Sequence, residues 1–476
     1  MNQFNFPKSF NFLLLLIINT VAHSAASSDK KIYLNGITLT PGGFFVGESV
    51  WRSRNEQSDI GSTFSGIPLK ISPLAHMNEF RLSARQTRLS LLVEGEYKPT
   101  LFSGYAEIDF LGNGTANSIE SNSFNPRMRN VYMTVDQKTT GWHVLAGENW
   151  SLATMNSKGI TPRNETPPPT IDSQYVVGFV WKRQPQFRVT KDFCEKVWVA
   201  VSVENPQTTF GGIPEANFGN IGAITYSAAG AQTLPSTTVF SLNNIPDIIA
   251  KFSVESNIIK HKLHAEFFGL YRNFYDRVLY IDGLKDNKNK SAGGMGAGLA
   301  IDVIPKHFTL QGNILAGKGI GSYASGTLPD ATVNSDGALV GISEIAYMIG
   351  GTLQATKALD IYVFGGAEIE KAKFFQIGNN FFGIGNPAAN NASCNIENAS
   401  AAGCTGATRK LWQITGGIWN KVCEGKAGKF SVGLQYSYTK KELFPGTNNG
   451  TTEPIGPSTD DNMVFVSFRY YPFATV

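Results

Sequence analysis

The chain has 476 residues, with 41 Lys+Arg against 37 Asp+Glu; a net charge of +4 spread over both signs offers no basic surface for nucleic acid. Hydrophobic content of 42% and a mean hydropathy of -0.12 exclude a bundle of membrane helices, and beyond the N-terminus no run approaches the roughly 18–20 apolar residues of a spanning helix. Four cysteines are too few for a disulfide-scaffolded fold.

Residues 1–26 read as a secretory signal peptide: Lys8, an apolar run from Phe12 to Ile18, then the small residues Ala22, Ser24, Ala25 and Ala26. Residues 27–41 form a short polar lead-in, and 42–476 repeat one rhythm, short stretches of apolar/polar alternation parted by turn-rich segments. Gly42 to Val50 opens the series, Trp51 to Asn78 reads as a loop, and Glu79 to Glu94 pairs with Leu101 to Leu111. Arg127 to Val135 and Trp142 to Trp150 follow, then Tyr175 to Arg188 and Val197 to Glu204.

Ile248 to Val254 pairs with Leu263 to Phe274, Ala292 to Val303 with Thr309 to Tyr323, and Ile345 to Ala355 with Asp360 to Phe375. Leu411 to Trp419, Lys429 to Leu443 and the stretch from Met463 complete the set. About sixteen strands, with short turns alternating against long loops, in an exported chain with 49 glycines and 12% aromatic residues predict an all-β fold. The architecture expected is a transmembrane antiparallel β-barrel. In Lys429 to Thr439 the residues Phe430, Val432, Leu434, Tyr436 and Tyr438 face lipid, and Ser431, Gly433, Gln435, Ser437 and Thr439 face the lumen.

Chemistry is sparse. Gly312 to Lys318 falls one position short of a phosphate-binding loop, since Gly319 replaces the required hydroxyl residue, and Gly294, Gly296 and Gly298 miss the dinucleotide spacing. His261 and His264 are three apart on a strand, hence on opposite faces, and read as separate surface or turn histidines rather than a metal pair. No Gly-x-Ser-x-Gly elbow occurs. The expectation is no catalytic residue, no metal and no cofactor.

The informative cluster is charged. Arg81, Arg85 and Arg88 lie on one strand, Glu107 and Asp109 on the next, Arg127 and Arg129 on a third. Arginine near a bilayer midplane cannot face hydrocarbon without a cost of roughly 2–4 kcal/mol, so these side chains belong to the lumen. Arg88 is out of phase with Arg81 and Arg85, which predicts a bulge near Gln86 or Thr87. Residues 151–174, following Glu148-Asn149-Trp150 and containing Lys158, Arg163, Glu165 and three consecutive prolines, are the expected inward-folded constriction. Cys394 and Cys404 share one polar segment and are expected to bridge; Cys194 and Cys423 sit in turns on one membrane side, half a barrel apart, and are not expected to pair within a monomer.

On Gly42-Gly43-Phe44, Ser83 to Arg88, Glu107 to Gly112, Pro126 to Arg129, Ala146 to Ser151 and the ending Phe468 to Phe473, the chain resembles the DcaP-like trimeric outer-membrane porins. That resemblance implies a sixteen-stranded homotrimer in the bacterial outer membrane, surrounded by its lipid and inserted by the barrel-assembly machinery. It also implies passive diffusion of small hydrophilic solutes, with a preference in some members for anions such as dicarboxylates. Two departures stand out: Glu148 replaces a frequent Gln, and Ala474-Thr475-Val476 extends past the usual terminal aromatic residue. The alternatives weighed are a surface-displayed barrel acting as adhesin or antigen, suggested by the long loops, and a barrel enzyme.

Overall fold

The computed structural model describes residues 30–112, 123–215, 217–231, 233–234, 236–258, 261–449 and 451–474; the expected signal peptide lies outside them. Sixteen antiparallel strands close into one barrel. They begin with β1 (Ile37–Arg52), β2 (Glu79–Ser83, resumed at Arg88–Tyr97), β3 (Thr100–Asp109), β4 (Arg127–Gln137) and β5 (Trp142–Trp150). Next come β6 (Arg183–Phe193), β7 (Val197–Glu204), β8 (Asp247–Ile258), β9 (His261–Tyr280) and β10 (Lys285–Ile304). The set ends with β11 (Phe308–Lys318), β12 (Ser343–Gln354), β13 (Leu359–Glu370), β14 (Thr408–Gly425), β15 (Gly428–Leu443) and β16 (Ser458–Tyr471).

β16 pairs with β1 from Met463↔Arg52 to Tyr470↔Phe45, while the other edge of β1 pairs with β2. Closure leaves no row of unpaired backbone groups, which lipid would not tolerate. The period of two sorts the side chains. On β7 Trp198 and Ala200 are buried inward, whereas Val199, Val201 and Val203 are 42%, 48% and 40% exposed on the outer wall. The lipid-facing and lumen-facing sets expected on β15 alternate in the same way, Ser431, Gln435, Ser437 and Thr439 being buried inside. Among the described residues no helix is long and apolar enough to cross a membrane.

Several boundaries move. β1 starts at Ile37, inside the expected lead-in, and Ile32–Leu34 folds back on Ile37 to Leu39 as a hairpin. The strand expected from Tyr175 begins only at Arg183, because residues 175–182 run through the lumen without a ladder. β9 and β10 overshoot as 20-residue strands joined at a tight turn where a longer loop was expected. Lys373–Ile377 pairs with Asn380–Ile384 as a separate hairpin instead of prolonging β13. The bulge lies where the charge phase puts it: Glu48 faces Ser83 and Phe44 faces Arg88, so five steps on β2 oppose four on β1.

Short turns gather at one rim, and the long connections, with the tight 281–284 tip of the β9–β10 hairpin among them, at the other. Three of the long ones fold back into the barrel. Residues 53–78 bring Ile60 and Ile67 against Val50, Met463 and Phe465. Residues 151–182 bring Leu152, Ile160 and Val180 against Trp198, Ile249 and Phe268, and residues 319–342 add Ile320 and Tyr323 to that cluster.

Candidate functional site

The 151–182 segment has no ladder of its own, so its backbone donors and acceptors are met by polar side chains on the inner wall. Leu152 N donates to Glu204 (2.8 Å), Asn156 N to Glu266 (3.1 Å), Gly159 N to Glu255 (2.6 Å), Ile171 N to Gln435 (2.6 Å), Val177 N to Gln413 (3.1 Å) and Gly178 N to Glu368 (2.7 Å). In the other direction Gln86 donates to Ile171 O (2.6 Å) and Trp419 to Pro169 O (2.7 Å). These partners come from strands around the whole barrel, which fixes the segment across the lumen. The inward piece runs to Lys182, eight residues beyond the expected end at 174.

Lys251 and His264 hold the first half of the segment. Lys251, buried on β8, donates to Thr154 O (2.7 Å), Asn156 Oδ1 (3.2 Å) and Glu266 Oε1 (2.9 Å). Both ring nitrogens of His264 face carboxylates, Glu255 at 2.6 Å and Glu266 at 3.0 Å, a bracket that only the doubly protonated ring fills with two donors. The expectation of a surface or turn histidine was therefore wrong for His264: it is 2% exposed, because its two acids are needed inside as acceptors for the segment.

On the facing wall the charged cluster assembles. Arg129 donates through Nε to Glu107 (2.8 Å) and through Nη1 to Asp109 (2.7 Å); Arg127 grips Asp109 with Nε and Nη2, both at 2.9 Å. Arg88 lies 3.7 Å from Glu107 and over the Phe44 ring, and Tyr105 donates to Glu107 at 2.9 Å. Three guanidiniums against two carboxylates leave one net positive charge. Among the described residues, buried donors remain without an acceptor at Arg88 Nε and Arg129 Nη2.

Two expected members stand elsewhere. Arg85 falls in the break of β2 and clamps a loop, donating to Phe110 O (2.8 Å), Gly112 O (2.7 Å) and Asp59 (2.7 Å) beneath the Phe124 ring. Three of its five N–H donors are taken by residues of two connections, and its charge is paired with Asp59. Arg81 is half exposed and pairs with Glu79 at 3.0 Å, two residues away on the same strand. Arg163, on the inward segment, donates to Tyr132 Oη at 3.0 Å. Cys394 and Cys404 are bonded, and Cys194 and Cys423 are exposed free thiols.

Two arginines complete the passage without having been anticipated. Arg469 on β16 pairs with Glu48 at 2.8 Å and lies over the Trp419 ring; alternation against Phe468 and Tyr470 already assigns it to the lumen. Arg183 sits over the rings of Trp150 (5.6 Å) and Trp181 (5.7 Å) and pairs with no carboxylate among the described residues. Nothing in the sequence around it signals that role, since its strand was expected to begin upstream. Tyr175 packs edge-on against Trp181 from a left-handed backbone (φ 67), a conformation uncommon for a bulky side chain, held by the turn in which its N–H donates to Asp172 O.

Two cavities flank Arg129. One, of 320 Å³, is lined by Arg88, Arg129, Arg469, Trp419, Tyr175 and the three prolines Pro167 to Pro169. The other, also 320 Å³, is lined by Arg127, Arg129, Arg183, Glu148, Gln174 and Trp181. Arg129 belongs to both, so the charged cluster stands between the two chambers.

No family model and no curated protein matches the chain. Among solved structures, the outer-membrane channel DcaP of Acinetobacter baumannii superposes with a TM-score of 0.63 at 18% identity, covering 94% of this chain and 100% of that one. The chain has the fold of the DcaP channel. OprB of Pseudomonas putida (TM-score 0.49, 10% identity, 91% and 94% coverage) and an anion-selective porin from Comamonas acidovorans (0.47, 11%, 91% and 99%) are more remote.

Proposed function

We propose that the protein is an outer-membrane porin that lets small hydrophilic solutes diffuse passively, with a mild preference for anions. The carrying observation is the cluster at Arg129: three guanidiniums share two carboxylates between two chambers inside a closed, apolar-walled barrel. Charges fixed in a narrow aqueous path select solutes by sign without chemistry. The DcaP fold supports the reading, and with it go a homotrimer, a cleaved signal peptide at 1–26 and assembly by the barrel-insertion machinery. Anions such as dicarboxylates are the finer solute class it favours.

The test is the reversal potential of the refolded protein in a planar bilayer across a KCl gradient. Wild type should prefer chloride, and Arg88→Gln with Arg129→Gln should move the potential toward the cation side. Unchanged selectivity would sink the role of the cluster. A second reading draws on the three inward connections and the apolar packing between them: a barrel filled by its own loops that acts through its surface as an adhesin or antigen. Silent insertion, with no current at any voltage, would favour it.

A further inference from the structure

The chamber lined by Arg183 and Glu148 carries one charge of each sign, facing each other without a salt bridge. Around Arg129 every acid is engaged, and the nearby Lys182 ammonium is taken by Gln207 O and Ser322 Oγ, both at 2.8 Å. Arg183 differs. Its guanidinium rests on tryptophan faces, which hold a cation without neutralising it, and its buried Nη1 has no acceptor among the described residues. Arg129 Nη2, in the same chamber, is likewise unused. Glu148 is half-buried on the same lining; it makes no hydrogen bond or salt bridge among the described residues, and the cation whose field it feels is Arg183.

We propose that this chamber is a station for small dipolar solutes, zwitterions carrying both a carboxylate and an ammonium as free α-amino acids do. The proposal rests on the diffusion-channel reading and names its solute class. A lone anion gains the Arg183 and Arg129 donors but meets the Glu148 carboxylate; a lone cation meets the reverse. A dipolar molecule answers both, placing its carboxylate on the unused guanidinium N–H groups and its ammonium on Glu148. Charges of opposite sign that line one 320 Å³ space without closing into a salt bridge orient such a dipole as it enters between them.

The experiment is osmotic swelling of liposomes containing the full mature chain, comparing L-arabinose, free glycine and succinate, each rate divided by that for arabinose. Glu148→Gln should lower the relative glycine rate about threefold and raise that of succinate, the size expected of one partly solvated charge contact. Arg183→Gln should lower both about threefold, and Glu148→Asp should restore glycine. An unchanged arabinose rate in each variant certifies an intact barrel. If arabinose enters but neither substitution moves the glycine ratio, the station is overturned and the channel reading stands. If wild type admits no arabinose, both fall.

Discussion

Lys251→Met should release the first half of the inward segment while leaving the barrel closed. Lys251 Nζ makes three bonds, two of them to Thr154 O and Asn156 Oδ1 on the segment and the third to Glu266. Methionine fills the space of the stem and deletes all three. Removing one partner of a buried pair costs about 3–5 kcal/mol, and Glu266 then leans on His264 and Asn156 N alone. That energy falls on a segment joined to the wall by individual bonds rather than on the strand ladders. The equilibrium between docked and released segment therefore shifts by roughly 10²- to 4 × 10³-fold. Residues 167–182 keep their bonds to Gln435, Gln413 and Glu368 and stay in place. Single-channel recording should show a larger mean conductance with excess open-channel noise, and trypsin should nick after Lys158 or Arg163 in the variant but not in wild type. Equal noise together with equal resistance to trypsin would refute the claim that Lys251 holds the segment.

Asp109→Asn takes a full acceptor charge from Arg127 and Arg129, so chloride preference should rise about two- to threefold, opposite in sign to Arg129→Gln, with reversal potential as the readout. Replacing Cys394 and Cys404 by Ser should loosen the surrounding connection by about 2–3 kcal/mol and expose it to protease, while the melting temperature of the barrel stays put. In the 53–78 connection burial pushes the Glu56 carboxyl up to about 8, against the pull of Arg52 beside it. Because the docked carboxyl keeps its proton where the released one has lost it, docking is strongest below about 4.5 and weakens as pH rises through about 8. Nicking of this connection by a protease active from about pH 5 to about pH 9 should increase with pH in wild type and stay flat in Glu56→Gln.

The barrel was legible because each strand repeats one simple rule. Val197 to Glu204 and Lys429 to Thr439 show the period of two without ambiguity, and the phase slip at Arg88 announced a bulge that the pairing of Ser83 and Arg88 bears out. The inward connections were not legible to the same depth. Tyr175 to Lys182 carries apolar residues in a pattern that resembles a strand, but Val176, Val177 and Phe179 are buried against the inner wall, packing on Met348, Tyr362, Phe364 and Leu411. Periodicity reports which residues avoid water; it does not distinguish lipid on the outside from a folded segment on the inside.

That ambiguity has a counterpart in the charges. A polar residue facing the lumen was read as lining water, yet Glu204, Glu255, Glu266, Glu368, Gln413 and Gln435 spend their oxygens on backbone N–H groups of the inward segment. The same barrel interior therefore holds two kinds of polar side chain, anchors that have replaced water with protein and a smaller set that keeps donors or charges open. Arg85 and Arg129 have equal charge and similar positions in the sequence pattern, but Arg85 is tied to two carbonyls and paired with Asp59, whereas Arg129 retains a buried N–H unused among the described residues between two chambers. Selectivity should follow the second set alone. Neutralising Arg85 should loosen the loop it clamps and leave the reversal potential untouched, while neutralising Arg183, which no charge pattern picked out, should move it.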